Sequence, residues 1–320
     1  MFTYKPWGCD MADDSMRAVR FHNYGPPDVL VIEQVPRPDP GEGQVLVHVR
    51  AAGVNPIDWK LRAGYLKEFM PLELPQTIGY DLAGTVEAVG PGVTTFTSGQ
   101  AVFGRGQGSY AEYAIASATA LAAKPDSISF EQAAAIPIGG VTAWVGLFDV
   151  GNLERAQRLL VQGAAGGVGS FAIQFGRWKG AHVIGTASSA NIEYLRSLGV
   201  DEAVDYTTGP LEGRISGVDV VLDAVGGEAT SGLWSLLKPG GILVEVAGMP
   251  SEDEARRHGV RTSGVQAPPD ISGILRQIAE LVESGAVKAE VGRVFALEEA
   301  AQAHALSETG HGRGRIVLTA

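Results

Sequence analysis

Between Leu159 and Phe175 the chain reads LLVQGAAGGVGSFAIQF, with four glycines in the seven residues from Gly163 to Gly169. No other stretch restricts the possible folds as much. An apolar, strand-like run, RLLVQ, ends directly on it. A segment whose apolar residues Val168, Phe171, Ala172 and Phe175 recur at helical spacing leaves it. Glycines in that setting tighten the turn, admit the backbone to a pyrophosphate and let the helix pack on the strand. The helix start adds free N–H groups and a partial positive charge. A bare packing turn explains the glycines but not the strand before them and the helix after. The spacing predicts a dinucleotide cradle formed by Gly163, Ala165, Gly166, Gly167 and Val168. It departs from G-x-G-x-x-G by setting Ala164 and Ala165 where the second glycine falls.

The segments around the cradle repeat its alternation. Apolar strands RLLVQG, AHVIGTA, EAVDY, VDVVLDAVG and GILVEVAG alternate with helical segments from about Val168, Asn191 and Glu228. Near-continuous apolar strands separated by helices predict a parallel sheet covered on both faces. The first third differs. MRAVRF, VLVIEQV, QVLVHVRAAG, LAGTVEAVG, QAVFG and YAEYAIA alternate with period two and are broken by Gly and Pro, as in VPRPDPGEGQ. That pattern predicts a small, mostly antiparallel barrel or sandwich. The tail holds a helix through ISGILRQIAELVESG and closes on the strand RGRIVLTA.

The second strand of the parallel set chooses the dinucleotide. An NAD site usually places Asp or Glu about twenty residues beyond the glycines, on the ribose hydroxyls. Here the strand ends VIGTASSAN, with Thr186, Ser188 and Ser189 and no carboxylate. Small hydroxyls donate to a phosphate, so the strand favours NADPH, although no arginine stands at that turn. Tyr206, ending the third strand, and Arg196 are further candidate contacts, Arg196 reading better as a solvated helix face. Ala224 and Val225 end the fourth strand and Ala247 and Gly248 the fifth, where they are expected to face the nicotinamide half.

Composition narrows the class further. The chain has 320 residues, enough for about two domains. Its charge of -11 is spread out, which speaks against nucleic acid or an anionic membrane as partner. One cysteine, Cys9, excludes an internal disulfide and a thiolate metal cluster. The first fifteen residues, MFTYKPWGCDMADDS, lack a secretory pattern and read as a disordered extension. No run reaches the eighteen or so apolar residues of a membrane span. A cytoplasmic location follows as the expectation.

Several separated motifs, AAGVNPIDWKLRAG, GYDLAGTVEAVG, GSYAEYA, AAAIPIGGVTAW, GAAGGVGSFAIQF, LRSLGVDEAVDY and GHGRGRIVL, together resemble the medium-chain dehydrogenase/reductase superfamily. The match is to its zinc-free, NADPH-dependent quinone oxidoreductase branch, and it covers nearly the whole chain from Met16. The resemblance implies a Rossmann doubly wound parallel sheet inserted into a GroES-like, mostly-β barrel. The barrel would take residues 16–136 and 268–320 and the Rossmann domain residues 137–267. It further implies a homodimer, an interdomain cleft as active site, Thr142 near the nicotinamide, and Arg313 or Arg315 near the cofactor. Either arginine alone also reads as an exposed loop charge.

Zinc relatives hold their metal with a Cys after an A-x-G turn, a His in GHE, and a Cys or Asp before the Rossmann domain. The matching positions here are Asn55, Tyr80 and Ile138. The resemblance therefore implies no zinc and no oxidation of simple alcohols, whose alkoxide needs a Lewis acid. An acceptor that is already electrophilic, a quinone or an α,β-unsaturated carbonyl, is implied instead. Asn55 is a candidate hydrogen-bond donor to the acceptor oxygen, or an Asx turn ahead of Pro56; the two roles can coexist. Tyr65 reads as a lid, a proton donor or a packing aromatic, and Tyr80 as a pocket wall. Asp58 and Asp81 fix loops rather than act as acids. His22, His48 and the other histidines show no metal-ligand spacing.

Two alternatives stay open. A pathway-specific enoyl or enone reductase would keep the cofactor half and differ in the loops around Tyr65, Phe69, Val260 and Gln266. An NADPH-binding protein with little turnover is of a different class, and the acidic charge opposes an RNA-associated version of it.

Overall fold

The computed structural model describes residues 15–310 and 312–320. The expected disordered extension falls outside these residues, except that Ser15 already opens the first strand. The N-terminal third contains β1 (Ser15–Phe21), β2 (Val31–Pro36), β3 (Gln44–Val54), helix α1 (Pro56–Arg62), β4 (Gln76–Thr77), β5 (Asp81–Val89), β6 (Ala101–Arg105), β7 (Tyr113–Ser117) and β8 (Leu121–Ala123). Helices α2 (Phe130–Ala134) and α3 (Pro137–Trp144) lead into the second region. It runs through β9 (Arg158–Gln162), α4 (Gly169–Lys179), β10 (His182–Ala187), α5 (Ile192–Leu198), β11 (Glu202–Asp205), β12 (Val218–Asp223), β13 (Leu237–Glu245), α6 (Glu252–His258) and β14 (Arg261–Gly264). The tail adds α7 (Ser272–Glu283), β15 (Val291–Ala296), α8 (Ala300–Glu308) and β16 (Arg315–Thr319).

The second region forms one sheet in the order β11-β10-β9-β12-β13-β14, with every pairing parallel. Strand order reverses between β9 and β12, which creates a crevice at their carboxyl ends. The central strands are buried on both faces, as their unbroken apolar runs require. Beside this lies a seven-stranded sheet, β15-β16-β3-β5-β6-β8, with β7 pairing β3. The last strand, β16, thus returns from the far end of the chain to pair antiparallel with β3, Val54 lying opposite Ile316. One apolar core runs from Ala51, Ala83 and Phe103 of the barrel through Ala133–Ile136 to Phe171 and Leu222 of the parallel sheet. The apolar side of α7, including Leu275 and Ile278, joins that same core.

One element differs in kind from its expectation. The helix expected from about Glu228 is a run of 3₁₀ turns over Gly227–Leu236. Its buried residues are Thr230, Leu233, Trp234 and Leu236. The hydroxyls of Ser231 and Ser235 bond the carbonyls of Glu228 and Gly232, three residues back, and so compete with α-helical pairing.

Candidate functional site

The glycine run lies between β9 and α4, at the strand-order reversal. Gly163 turns the chain with φ +71. Its carbonyl then crowds Gly169: a Cβ on Gly169 would stand 2.3 Å from that oxygen. The helix can therefore start this close to the strand only with glycine there. Val168 is the helix N-cap, and no side chain satisfies the free N–H groups of the first turn. Those groups form the main-chain half of an anion cradle.

The expected cofactor residues gather around this cradle in different ways. Thr142, half-buried, lies on α3 one turn beyond Gly139, whose own Cβ position is 2.7 Å from the Gly167 carbonyl. Ala165 is buried, and Gly166, Gly167 and Val168 are half-exposed along the loop. Ala224, Val225, Ala247 and Gly248 follow the ends of β12 and β13, with Val225 half-exposed above Gly163. Thr186 is buried, and its carbonyl accepts the Ala164 N–H at 3.2 Å. Ser188 is half-buried, whereas Ser189 and Tyr206 are exposed. The Ser189 hydroxyl donates to the Asp205 carboxylate.

Arg315 is the link to the barrel. As a lone arginine it reads in the sequence as an exposed loop charge, yet it is only 5% exposed. It starts β16, and β16's pairing with β3 swings its side chain under the glycine run. A Cβ on Gly167 would be 2.5 Å from Arg315 Nη1. On the other side Nη2 pairs with Asp81 Oδ2 at 3.0 Å and donates to Asn55 Oδ1. Its Nε is buried and has no hydrogen-bond partner among the described residues.

Asn55 and Asp81 meet because Gly53 of β3 lies opposite Asp81 of β5. The Asn55 amide donates to Asp81 Oδ2 at 3.0 Å, and the Ile138 N–H donates to the same carboxylate at 3.0 Å. Asn55 is fully buried, and its side chain bonds to Asp81 and Arg315 within this cluster. The N-terminus of α1 is capped from the other direction, Asp58 accepting the Asn55 N–H at 2.8 Å. Asp58 also accepts the Tyr110 hydroxyl at 2.9 Å, and Tyr110 packs edge-on against His304 of α8. Burial pushes the Asp58 carboxyl up to about 7 and that of Asp81 up to about 6, the Arg315 cation opposing the rise at both. Burial pushes His304 down to about 3.

Tyr80, next to Asp81, is half-buried, and its hydroxyl has no hydrogen-bond partner among the described residues. Burial and then the Asp58 charge raise its pKa. Tyr65 stands on the loop after α1, 72% exposed, with its ring edge-on to Trp59 at 5.9 Å. The three positions that match zinc ligands in the relatives thus present an amide already bonded, a phenol and an alkyl side chain. These do not fit a zinc ion. Among the described residues no group of three or more His, Cys, Asp or Glu could hold a metal.

Tyr110 and His304 carry no sequence signal, and Asn55 and Asp81 carry none for their pairing with Arg315. Their contacts join positions up to 260 residues apart. The resemblance implies that Arg313 or Arg315 lies near the cofactor, and Arg313 alone also reads as an exposed loop charge. The structure lays it on the turn after β10, with Nε donating to Asn191 Oδ1 at 2.8 Å.

Two family models match the chain. Residues 41–126 match the alcohol dehydrogenase GroES-like domain and residues 198–318 match the zinc-binding dehydrogenase model. A chloroplastic quinone-oxidoreductase of Triphysaria versicolor is 31% identical, over 96% of this chain and 99% of that protein. The 2-methylene-furan-3-one reductase of Solanum lycopersicum is 35% identical, over 95% of this chain and 79% of that protein. A mycobacterial protein solved in complex with NADPH superposes with a TM-score of 0.88 at 30% identity, over 95% of this chain and 100% of that one. The fold, the glycine cradle at the strand reversal and these matches agree: this chain belongs to the medium-chain dehydrogenase/reductase superfamily, in its quinone oxidoreductase-like branch.

Proposed function

We propose that the chain is a zinc-independent, NADPH-dependent reductase of quinones or α,β-unsaturated carbonyls. The observation that carries this reading is the cradle itself: free N–H groups at the start of α4, with Arg315 Nη1 against Gly167. In this reading the N–H groups of Gly167 and Val168 and the Arg315 guanidinium hold the pyrophosphate, while the Gly166 N–H donates to the Gly163 carbonyl at 3.0 Å and closes the turn. Ser188 faces the adenosine ribose, and Thr142, Ala224, Val225, Ala247 and Gly248 border the nicotinamide. The cofactor supplies a hydride when bound.

The remaining work falls to side chains of the barrel. With no Lewis acid to polarise it, the acceptor must be electrophilic already, and the site must solvate the oxyanion that forms. Asn55 is a poor direct donor because its amide nitrogen donates to Asp81 and to the Gly53 carbonyl and its carbonyl accepts from Arg315. We assign it to positioning. Tyr80 takes the oxygen-side role: its phenol is protonated, unpaired and adjacent to the cluster. Tyr65 lies on an exposed loop and covers the acceptor from outside. The acceptor gains the two electrons and one hydrogen of the hydride and draws its second proton from water. The resemblance of the tomato relative favours an enone as readily as a quinone.

The test is consumption of NADPH and of NADH against quinones, 2-alkenals and cyclic enones, each with and without a zinc chelator. Turnover that prefers NADPH and ignores the chelator is the expected result. Loss of activity with chelator, or preference for NADH, overturns the reading.

A further inference from the structure

The turn that follows β10 holds a cation that its own sequence lacks. Beyond Ala187 the chain passes through Ser188, Ser189, Ala190 and Asn191, where the adenosine ribose of a dinucleotide lies in this fold. No Lys or Arg occurs in these residues. Arg313 reaches the turn from the other end of the chain. Its Nε donates to Asn191 Oδ1 at 2.8 Å and its Nη2 donates to the Ala190 carbonyl. The guanidinium carbon stands 5.9 Å from the centroid of the Tyr194 ring. Two of its five N–H groups are used in this way, and the rest belong to an exposed side chain.

The hydroxyls that first suggested a phosphate are less available than they looked. A serine hydroxyl has one proton to donate, and that of Ser189 goes to Asp205. Asp205 is itself held by the Thr207 N–H at 2.8 Å and the Thr207 hydroxyl at 2.6 Å. Two further cations are engaged elsewhere, Arg214 with the main-chain carbonyls of Asp205 and Gly209 and Arg196 of α5 with the Glu193 carboxylate. That leaves Ser188 and Arg313 as the donors of this turn for a phosphate on the ribose. We propose that Arg313 is the residue by which this chain selects a 2′-phosphorylated nucleotide. The sequence GRGR then places two guanidiniums two residues apart with separate tasks, Arg315 beneath the glycine run and Arg313 at the second-strand turn. The proposal rests on the NADPH reading above.

Binding, not turnover, tests it. Isothermal titration with 2′,5′-ADP and with 5′-ADP is made on the wild type, Arg313→Gln and Arg313→Lys, with a thermal midpoint for each. The wild type is expected to prefer 2′,5′-ADP. Loss of a charge-assisted contact is expected to weaken 2′,5′-ADP roughly 10- to 100-fold in Arg313→Gln. Binding of 5′-ADP should stay within about twofold, and Arg313→Lys should fall between, since it keeps the charge without the planar fork. Equal weakening of both nucleotides in Arg313→Gln means a merely structural anchor for the turn and overturns the proposal. Unchanged selectivity overturns it as well. A wild type with no preference for the 2′-phosphate overturns the NADPH reading and this proposal together, which separates the two failures.

Discussion

The cofactor half and the acceptor half of the site are built by different means. Around the glycine run the working groups are main-chain N–H donors, presented by a turn and a helix start that adjacent residues specify. On the barrel side they are side chains from the start of α1, β5 and the residue before it, α8 and β16, brought together only when the two ends of the chain share a sheet. A main-chain site depends on local shape and tolerates no added bulk. A side-chain site depends on the balance of buried charge, and removing one partner leaves the others uncompensated.

The sharpest break in this comparison is Gly169→Val. A Cβ there meets the Gly163 carbonyl at 2.3 Å, so α4 cannot start where it does. Nucleotide binding is expected to disappear in titration with 2′,5′-ADP while the barrel side chains are untouched. On the other half, Arg315→Leu strands Asp81, which is fully buried. Removing one partner of a buried pair costs about 3–5 kcal/mol, so chemical denaturation should show a loss of that order. Adding Asp81→Asn should restore a large part of it. If the single and double variants lose equally, the pair is not what the cluster depends on.

The pH dependence separates the buried groups by sign. Asp58 and Asp81 have folded values of about 7 and about 6 against an ordinary 3.8, so the folded state binds their protons more tightly. They contribute stability at low pH that is lost as pH rises from about 4 to about 7. His304, lowered to about 3 from 6.5, acts oppositely: its contribution is present above 6.5 and lost as pH falls toward 3. Asp58→Asn is expected to flatten the decline in stability between about pH 5 and 7 and to leave the acid-side loss in place. An unchanged profile would mean that Asp58 is ionised throughout this range. The smallest effect is expected from Tyr80→Phe: kcat/KM falling about tenfold for loss of one hydrogen bond to a developing oxyanion, with nucleotide affinity unchanged.

The same contrast explains what the sequence could reveal. Strand, glycine run and helix are contiguous, so β9, α4 and the cradle between them are readable from periodicity and turn chemistry. The parallel order follows from repetition of the pattern. By contrast, nothing near Arg315 announces that it is buried against Asp81 and Asn55, because those partners are chosen by β16 pairing with β3. Asn55 shows this most clearly. Its position ahead of Pro56 suggests a substrate contact or an Asx turn, and nothing local announces that its side chain bonds to the buried Asp81–Arg315 pair. The 3₁₀ run over Gly227–Leu236 is hidden for a local reason: its buried residues Thr230, Leu233, Trp234 and Leu236 also suit one face of an α-helix.

The central claim is that a main-chain cradle and a metal-free acceptor side suffice for hydride transfer. The most direct measurement is NADPH oxidation by protein stripped of metal and checked by elemental analysis, with one quinone and one enone as acceptors, before and after zinc is restored. The account predicts full activity in the stripped protein and no gain on adding zinc. Activity that appears only with zinc would contradict it.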